Sequence, residues 1–366
     1  MINLHFFPSR RIAFYMVRLF LSRSLAVLVA LVGILVVLDL LGNSGEVLAH
    51  PGNGDAELWL YAGLRVPQLI ARFLPFAVLL GTLITLAGLN QHSEIISMKA
   101  AGISAHQIIA PLLLAAAIVS LLHFAFIERV VTRANATLSA WSAVDYGPVP
   151  DETDIRNNIR IVHGDDLIFV SRVSGRGSDV RLAGIEIFER DGGTLQRILK
   201  ARSGRYAGAQ GWTLEGATLF DVDSGRLQTM GSVRFGAGIA PDEFTLAQVD
   251  PDEQNFWRLR ETIGELRSAG RPTEMLEANM WHKLAGPLST VLMPLLAATA
   301  AFGLARSGQL MLRAVIGMAL GFTYFVADNF ALAMGNLGAY PPVLAAWGPF
   351  LLFLLVGEAV LVRTEE

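Results

Sequence analysis

Residues 90–102 read NQHSEIISMKAAG, from Asn90 to Gly102, and they interrupt a chain that is apolar on both sides. Before them stands RFLPFAVLLGTLITLAGL, residues 72–89, and after them IIAPLLLAAAIVSLLHFAF, residues 108–126. Each flank is long enough to cross a hydrocarbon core of ~30 Å at ~1.5 Å per helical residue. The polar stretch is longer than a turn between two spans requires. Ile95, Ile96 and Met98 lie among Glu94 and Lys99, giving it an apolar and a charged side, a pattern suited to a helix lying in a partner's groove.

The totals agree with a membrane chain. Hydrophobic residues make up 53% of the sequence and charged residues only 17%, below the usual quarter for soluble domains. A formal net charge of −3 supplies no basic stripe for a nucleic acid. The sequence has no cysteine, which excludes disulfides and thiolate chemistry. The first apolar segment is too long for a signal-peptide core and lacks an A-x-A-like site, so it reads as a retained span.

Six spans are expected, at about Ser24–Leu41, Val66–Leu89, Ile103–Ile127, Leu284–Leu304, Ala314–Met334 and Pro342–Val362. They form two groups of three around a more polar insert. Within the insert, Ile159–Val173, Leu182–Glu189 and Thr213–Asp221 are β-branched and partly alternating, with turn formers at Asp191-Gly192-Gly193 and Asp223-Ser224-Gly225. That pattern predicts an antiparallel domain of sandwich or jelly-roll kind. Next, NFWRLRETIGELRSAGRP carries Phe256, Leu259, Ile263 and Leu266 at helical spacing and stops at Gly270 and Pro272. The division is therefore an N-terminal membrane half over 1–147, a β domain over 148–252, an amphipathic connecting helix over 253–280, and a C-terminal membrane half over 281–366.

Orientation follows from the basic residues. Arg10, Arg11, Arg18 and Arg23 precede the first span, Lys99 lies between the second and third, Arg306 and Arg313 lie between the fourth and fifth, and Arg363 ends the sixth. The loop Gly42–Leu64 has no Lys or Arg but carries Glu46, Asp55 and Glu57. The positive-inside bias thus places both termini and residues 90–102 in the cytoplasm, with the β domain across the membrane.

Several chemistries are excluded or weak. The lysines, Lys99, Lys200 and Lys283, follow Met98, Leu199 and His282, so no Walker A loop exists and the chain carries no P-loop ATPase. No H-E-x-x-H occurs, and the scattered histidines argue against a zinc protease. Gly42-Asn43-Ser44-Gly45 matches the G-x-S-G of rhomboid-type proteases, with His123 as a candidate base. Ser44 lies at the outer end of a span, however, and an ordinary turn explains it better.

Ionisable residues inside spans are costly and mark candidate sites. Asp39 lies 16 residues beyond Arg23 (~24 Å), Asp328 lies 15 beyond Arg313 (~22 Å), and Arg72 lies 18 before Asn90 (~27 Å). All three then fall in the outer third of the bilayer, and Arg65 lies two turns above Arg72 on one helical face. One reading pairs Arg72 with Asp39 or Asp328. Another has this layer meet the head group of a charged amphiphile, since a guanidinium fork suits phosphate. Pro111, Pro287 and Pro294 predict kinks. Gly317 and Gly321 form a G-x-x-x-G that permits close helix approach, and Trp281-His282-Lys283 reads as an interfacial anchor.

Three spans, an outer β domain and three more spans resemble the LptF/LptG permease family (YjgP/YjgQ), which exports lipopolysaccharide from the inner membrane of Gram-negative bacteria. The resemblance runs through RFLPFAVLLGTLITLAGLNQHSEIISMKAAGIS, MWHKLAGPLSTVLMPLLA and GFTYFVADNFALAMGNLGAYPPVLAAW, and FWRLRETIGELRSAG leans it toward the LptG branch over LptF. It implies a non-catalytic permease subunit with no cofactor of its own, ATP and Mg being held by a separate LptB ATPase dimer. The implied partners are an LptF paralogue in a heterodimer and LptC, with lipopolysaccharide as substrate. It also implies that the segment matching Gln91–Gly102 is the coupling helix, with Glu94 at the ATPase contact and His92, Ser93, Ile95, Met98 and Lys99 around it. Asp39 and Asp328 fall at the family's gate between first and fifth spans. The lysines that family members carry near the outer end of the first span are replaced here by Val36, Gly42 and Asn43. Either Arg65 and Arg72 on the second span supply part of that positive charge instead, or the lipid A that this chain meets is less phosphorylated. The readings set against this one are an intramembrane serine hydrolase, an envelope scaffold, and a four-span mechanotransmission permease, which the span count disfavours.

Overall fold

A computed structural model of the chain describes residues 8–149, 156–175, 177–245, 249–268, 270–302 and 310–363. The helices in order are α1 (Arg10–Ala49), α2 (Asp55–Gln91), α3 (Glu94–Ala100), α4 (Ala105–Phe126), α5 (Thr132–Ser142), α6 (Pro241–Thr245), α7 (Phe256–Ser268), α8 (Glu274–Phe302), α9 (Leu310–Asn336) and α10 (Pro342–Arg363). A π-helical turn, Ile127–Val131, joins α4 to α5 without a break. Six helical stretches among the described residues are long and apolar enough to cross a membrane, as the sequence predicts. The expected end of the fourth span at Leu304, and Arg306 beyond it, lie outside the described residues, as does the side chain of Arg313.

The helices outrun their apolar windows. α1 extends 40 residues and passes through Gly42-Asn43-Ser44-Gly45 as helix, which corrects the expected turn. Hydropathy reports which residues tolerate lipid, whereas a helix continues until something breaks its hydrogen-bond ladder. Here the break comes at Pro51 and Gly52, the latter at φ 103°. α8 likewise begins at Glu274, ten residues ahead of the expected span.

The chain forms two compact units: Met1–Gly45 with Leu58–Asn135 and Pro251–Glu366, and Glu46–Glu57 with Ala136–Asp250. In the first, α8 is the hub, with 72% of its apolar window buried against 6% for α1. The core draws on Phe20 of α1, Leu79 and Leu86 of α2, Ile108 and Leu112 of α4, Leu296 of α8, Tyr324 of α9 and Leu361 of α10. Ser120 donates to the Pro287 carbonyl at 2.9 Å, tying α4 to α8.

Glycines set the helix spacing. A β-carbon at Gly81 would lie 2.6 Å from the Ser24 Cα, so α1 and α2 touch backbone to backbone there. Gly317 and Gly321 of the G-x-x-x-G face Leu83 and Leu79 of α2, so the close approach is used inside the chain. α7 buries Leu259, Ile263 and Leu266, the predicted apolar face, and packs on α8. Its first turn is held by Glu128 from the π turn, whose Oε2 accepts the Phe256 N–H at 2.7 Å. A carboxylate there also complements the helix dipole.

The second unit holds a six-stranded antiparallel sheet: β1 (Arg156–His163), β2 (Asp166–Ser174), β3 (Arg181–Asp191), β4 (Thr194–Tyr206), β5 (Trp212–Asp221) and β6 (Arg226–Phe235). Each strand pairs with its sequence neighbour, so among the described strands the order is consecutive, without a crossover. The expected run Ile159–Val173 is in fact the β1–β2 hairpin, turning at Gly164-Asp165 with His163 opposite Asp166. Period-two alternation buries Ile159, Ile161, Ile168, Val170, Ile185 and Ile187 on one face. Trp212 closes that core against Phe244 of α6, and its indole N–H donates to the Ile239 carbonyl at 3.0 Å. In the β5–β6 turn Asp221 accepts from the Ser224 hydroxyl and N–H, which hold its carboxyl below the usual range. The α1–α2 connection belongs to this unit, where the Asn53 amide donates to the carbonyls of Val47 and Tyr146, each at 2.8 Å.

Candidate functional site

The polar stretch folds as a seven-residue helix clamped at both ends. α2 ends at Gln91, and two residues on Ser93 takes the left-handed conformation at φ 59° and re-aims the chain. α3 ends in a Schellman motif: the Gly102 N–H donates to Lys99 at 2.9 Å and the Ile103 N–H to Met98 at 3.1 Å. Gly102 sits at φ 87°, where a side chain would be strained. Two residues later Ser104 and Gln107 form a capping box that starts α4, at 3.2 and 3.0 Å. The geometry of the whole turn is thus written in Ser93, Gly102, Ser104 and Gln107.

Its side chains divide by face. Ile95 is buried in the helical core and Met98 packs against that core, so both anchor α3 to its own chain. Ile96 is 62% exposed, alongside exposed His92, Ser93, Ser97 and Lys99. The apolar contact offered outward is therefore Ile96, not Ile95 or Met98. Glu94 accepts from the Tyr15 hydroxyl of α1 at 3.1 Å, His92 Nδ1 lies 2.8 Å from the Gly88 carbonyl, and the Lys99 ammonium stands 5.1 Å from the Phe302 ring centroid.

The intramembrane charges form two groups. Arg65 meets Asp39 through Nη2 at 3.0 Å and Nε at 3.1 Å, and Tyr61 donates its hydroxyl to the other carboxylate oxygen at 2.9 Å. Gln68 accepts from the third guanidinium nitrogen, Nη1. Three donors on Asp39 offset the cost of a carboxylate at this depth. Arg72 is exposed and makes no ion pair among the described residues, which corrects the expected pairing. The reason is register. Counting from Arg23 and Asn90 treats those residues as level, whereas Ser24 packs against Gly81. Fifteen residues up from that contact, Asp39 stands beside Val66, so Arg65 is its neighbour, two turns above Arg72.

Asp328 of α9 pairs with His282 of α8, Nε2 to Oδ2 at 3.0 Å. The Asn279 amide donates to Asn336 at 2.8 Å on the same two helices. His282, expected as part of an interfacial anchor ahead of the fourth span, lies on α8 more than two turns from its start at Glu274 and has Asp328 as its partner. The signal available was Asp328 itself, a carboxylate in a span that needed a partner.

Ser44 and His123 do not form a catalytic pair. His123 is buried on α4 with Nδ1 3.4 Å from the Thr290 hydroxyl, and among the described residues no hydrogen bond joins it to Ser44. No cluster of His, Asp or Glu among the described residues has the makings of a metal site.

Comparison with known proteins places this arrangement. The family model for lipopolysaccharide export system permease LptF/LptG matches residues 14–363. The lipopolysaccharide export system permease protein LptG of Escherichia coli (strain K12) is 28% identical over 347 residues, covering 93% of this chain and 94% of that protein. The protein of the same name from Haemophilus influenzae is 27% identical over 368 residues, covering 96% and 98%. Six apolar helices, an inserted antiparallel sheet and a match over nearly the full length give one conclusion: the chain belongs to the LptF/LptG family of lipopolysaccharide export permeases.

Proposed function

We propose that this chain is a non-catalytic membrane subunit that lifts lipopolysaccharide out of the inner membrane, driven through α3 by an ATPase on a separate chain. The observation that carries the reading is the division of α3: Ile95 and Met98 fix it to the helical core, while Ile96 and its polar neighbours face outward. A helix held this way transmits a push on its outer face to α2 and α4 together. ATP and Mg then belong to the partner ATPase, an LptB dimer, and this chain needs no cofactor. An LptF-type paralogue completes the membrane cavity, and LptC adds its helix and β domain.

In this reading both termini and α3 are cytoplasmic and the sheet is periplasmic, in keeping with the basic residues Arg10, Arg11, Lys99 and Arg363 on one side. Asp39 with Arg65, and Asp328 with His282, border the gate. Arg65 keeps part of its guanidinium open and Arg72 is exposed, so the two offer positive charge to a phosphorylated head group in place of the absent lysines. The test is co-expression with the paralogue and the ATPase, followed by pull-down and mass spectrometry of bound lipid. Recovery of the ATPase and lipopolysaccharide supports the reading; a chain that purifies without either contradicts it.

A further inference from the structure

We propose that the groove between α1 and α4 binds an anionic phospholipid of the leaflet on the side of the chain termini. Naming that leaflet cytoplasmic rests on the orientation proposed above; the binding itself does not. The groove has a volume of about 830 Å³ and is walled by Phe14, Val17 and Leu21 of α1 and by Leu114, Ile118 and Leu122 of α4. Its only charged lining residues are Arg10 and Arg11.

Three observations select a lipid as occupant. The first is length. As first and third spans α1 and α4 cross in the same direction, and both Arg10 to Leu21 and Pro111 to Leu122 advance ~16 Å, half of a ~30 Å core. The groove is about as long as one leaflet is thick, the reach of an acyl chain. The second is the distribution of polarity: past the two arginines every lining residue is apolar, so nothing within the groove receives a polar side chain from a partner helix. The third is charge. Arg10 and Arg11 are exposed, make no ion pair among the described residues, and share a first turn that has no acidic residue. A phosphodiester beside Arg10 and Arg11 meets two guanidinium forks while its chains enter the groove.

The test uses the full chain in nanodiscs of phosphatidylcholine with a minor fraction of phosphatidylglycerol, with a photo-crosslinking residue at Ile118, or at exposed Leu355 of α10 as control. The expected result is adducts at Ile118 enriched about tenfold in phosphatidylglycerol over the disc composition, and adducts at Leu355 that mirror it. Replacing Arg10→Gln and Arg11→Gln together removes the enrichment while lipid adducts at Ile118 persist. Equal composition at both positions, enrichment that survives the double substitution, or protein adducts in place of lipid would overturn the proposal. No ATPase enters the measurement, and nanodiscs present both faces, so this result and that of the permease test stand apart.

Discussion

The β-carbon position of Gly81 lies 2.6 Å from the Cα of Ser24, and this one contact sets the register of α1 against α2. It decides which charges meet in the membrane: Asp39 finds Arg65, and Arg72 has no ion pair among the described residues. Substituting Gly81→Leu should force the helices apart at a cost of about 1–3 kcal/mol. Thermal unfolding in detergent checks this against Gly33→Leu, at a glycine with nothing within 4 Å, where little change is expected.

Arg65 and Asp39 should behave as a unit. With the Arg65 side chain 32% exposed, solvent screening keeps the pair's own contribution to about 1 kcal/mol or less. Stranding Asp39 by Arg65→Ala should cost more than Asp39→Asn with Arg65→Ala together. A double-mutant cycle on thermal stability reads the coupling, and strict additivity would show that the two are independent.

His282→Ala leaves the Asp328 carboxylate without its imidazole partner, while His282→Gln retains a donor. The expectation is that lipopolysaccharide export in a complementation assay falls several-fold for the alanine variant and recovers in part for glutamine. Equal growth of both variants with wild type would remove His282 from the gate.

Gly102→Ala should cost about 1–2 kcal/mol from backbone conformation alone, since φ is 87° and no neighbour lies within 4 Å. Because the strain falls on the Schellman motif that closes α3, the predicted phenotype is retained ATPase activity with reduced lipid release per ATP. An unchanged ratio would show that the motif is only a chain turn.

How much of this could be read beforehand follows from what each signal measures. Hydropathy found six spans and the insert because lipid solubility is a property of windows of residues. It missed the continuation of α1 through Gly42–Gly45 and the early start of α8, since polar residues continue a helix well outside lipid. That residues 90–102 form a short amphipathic break between two spans was legible, but not which of two adjacent isoleucines faces inward. Ile95 is buried and Ile96 exposed because of the reorientation at Ser93, which no propensity announces. Arg65 and Arg72 were both identified, and only helix register told them apart.

The central claim is that force enters the membrane subunit through the outer face of α3. The most direct measurement is pull-down of the ATPase by the assembled complex carrying Ile96→Glu, with Glu94→Lys and Ile95→Ala alongside. The account predicts that Ile96→Glu and Glu94→Lys complexes keep their thermal stability and lose most of the ATPase, while Ile95→Ala loses about 2–5 kcal/mol of stability as a core truncation. Full ATPase recovery with normal lipopolysaccharide export by Ile96→Glu and Glu94→Lys would contradict it.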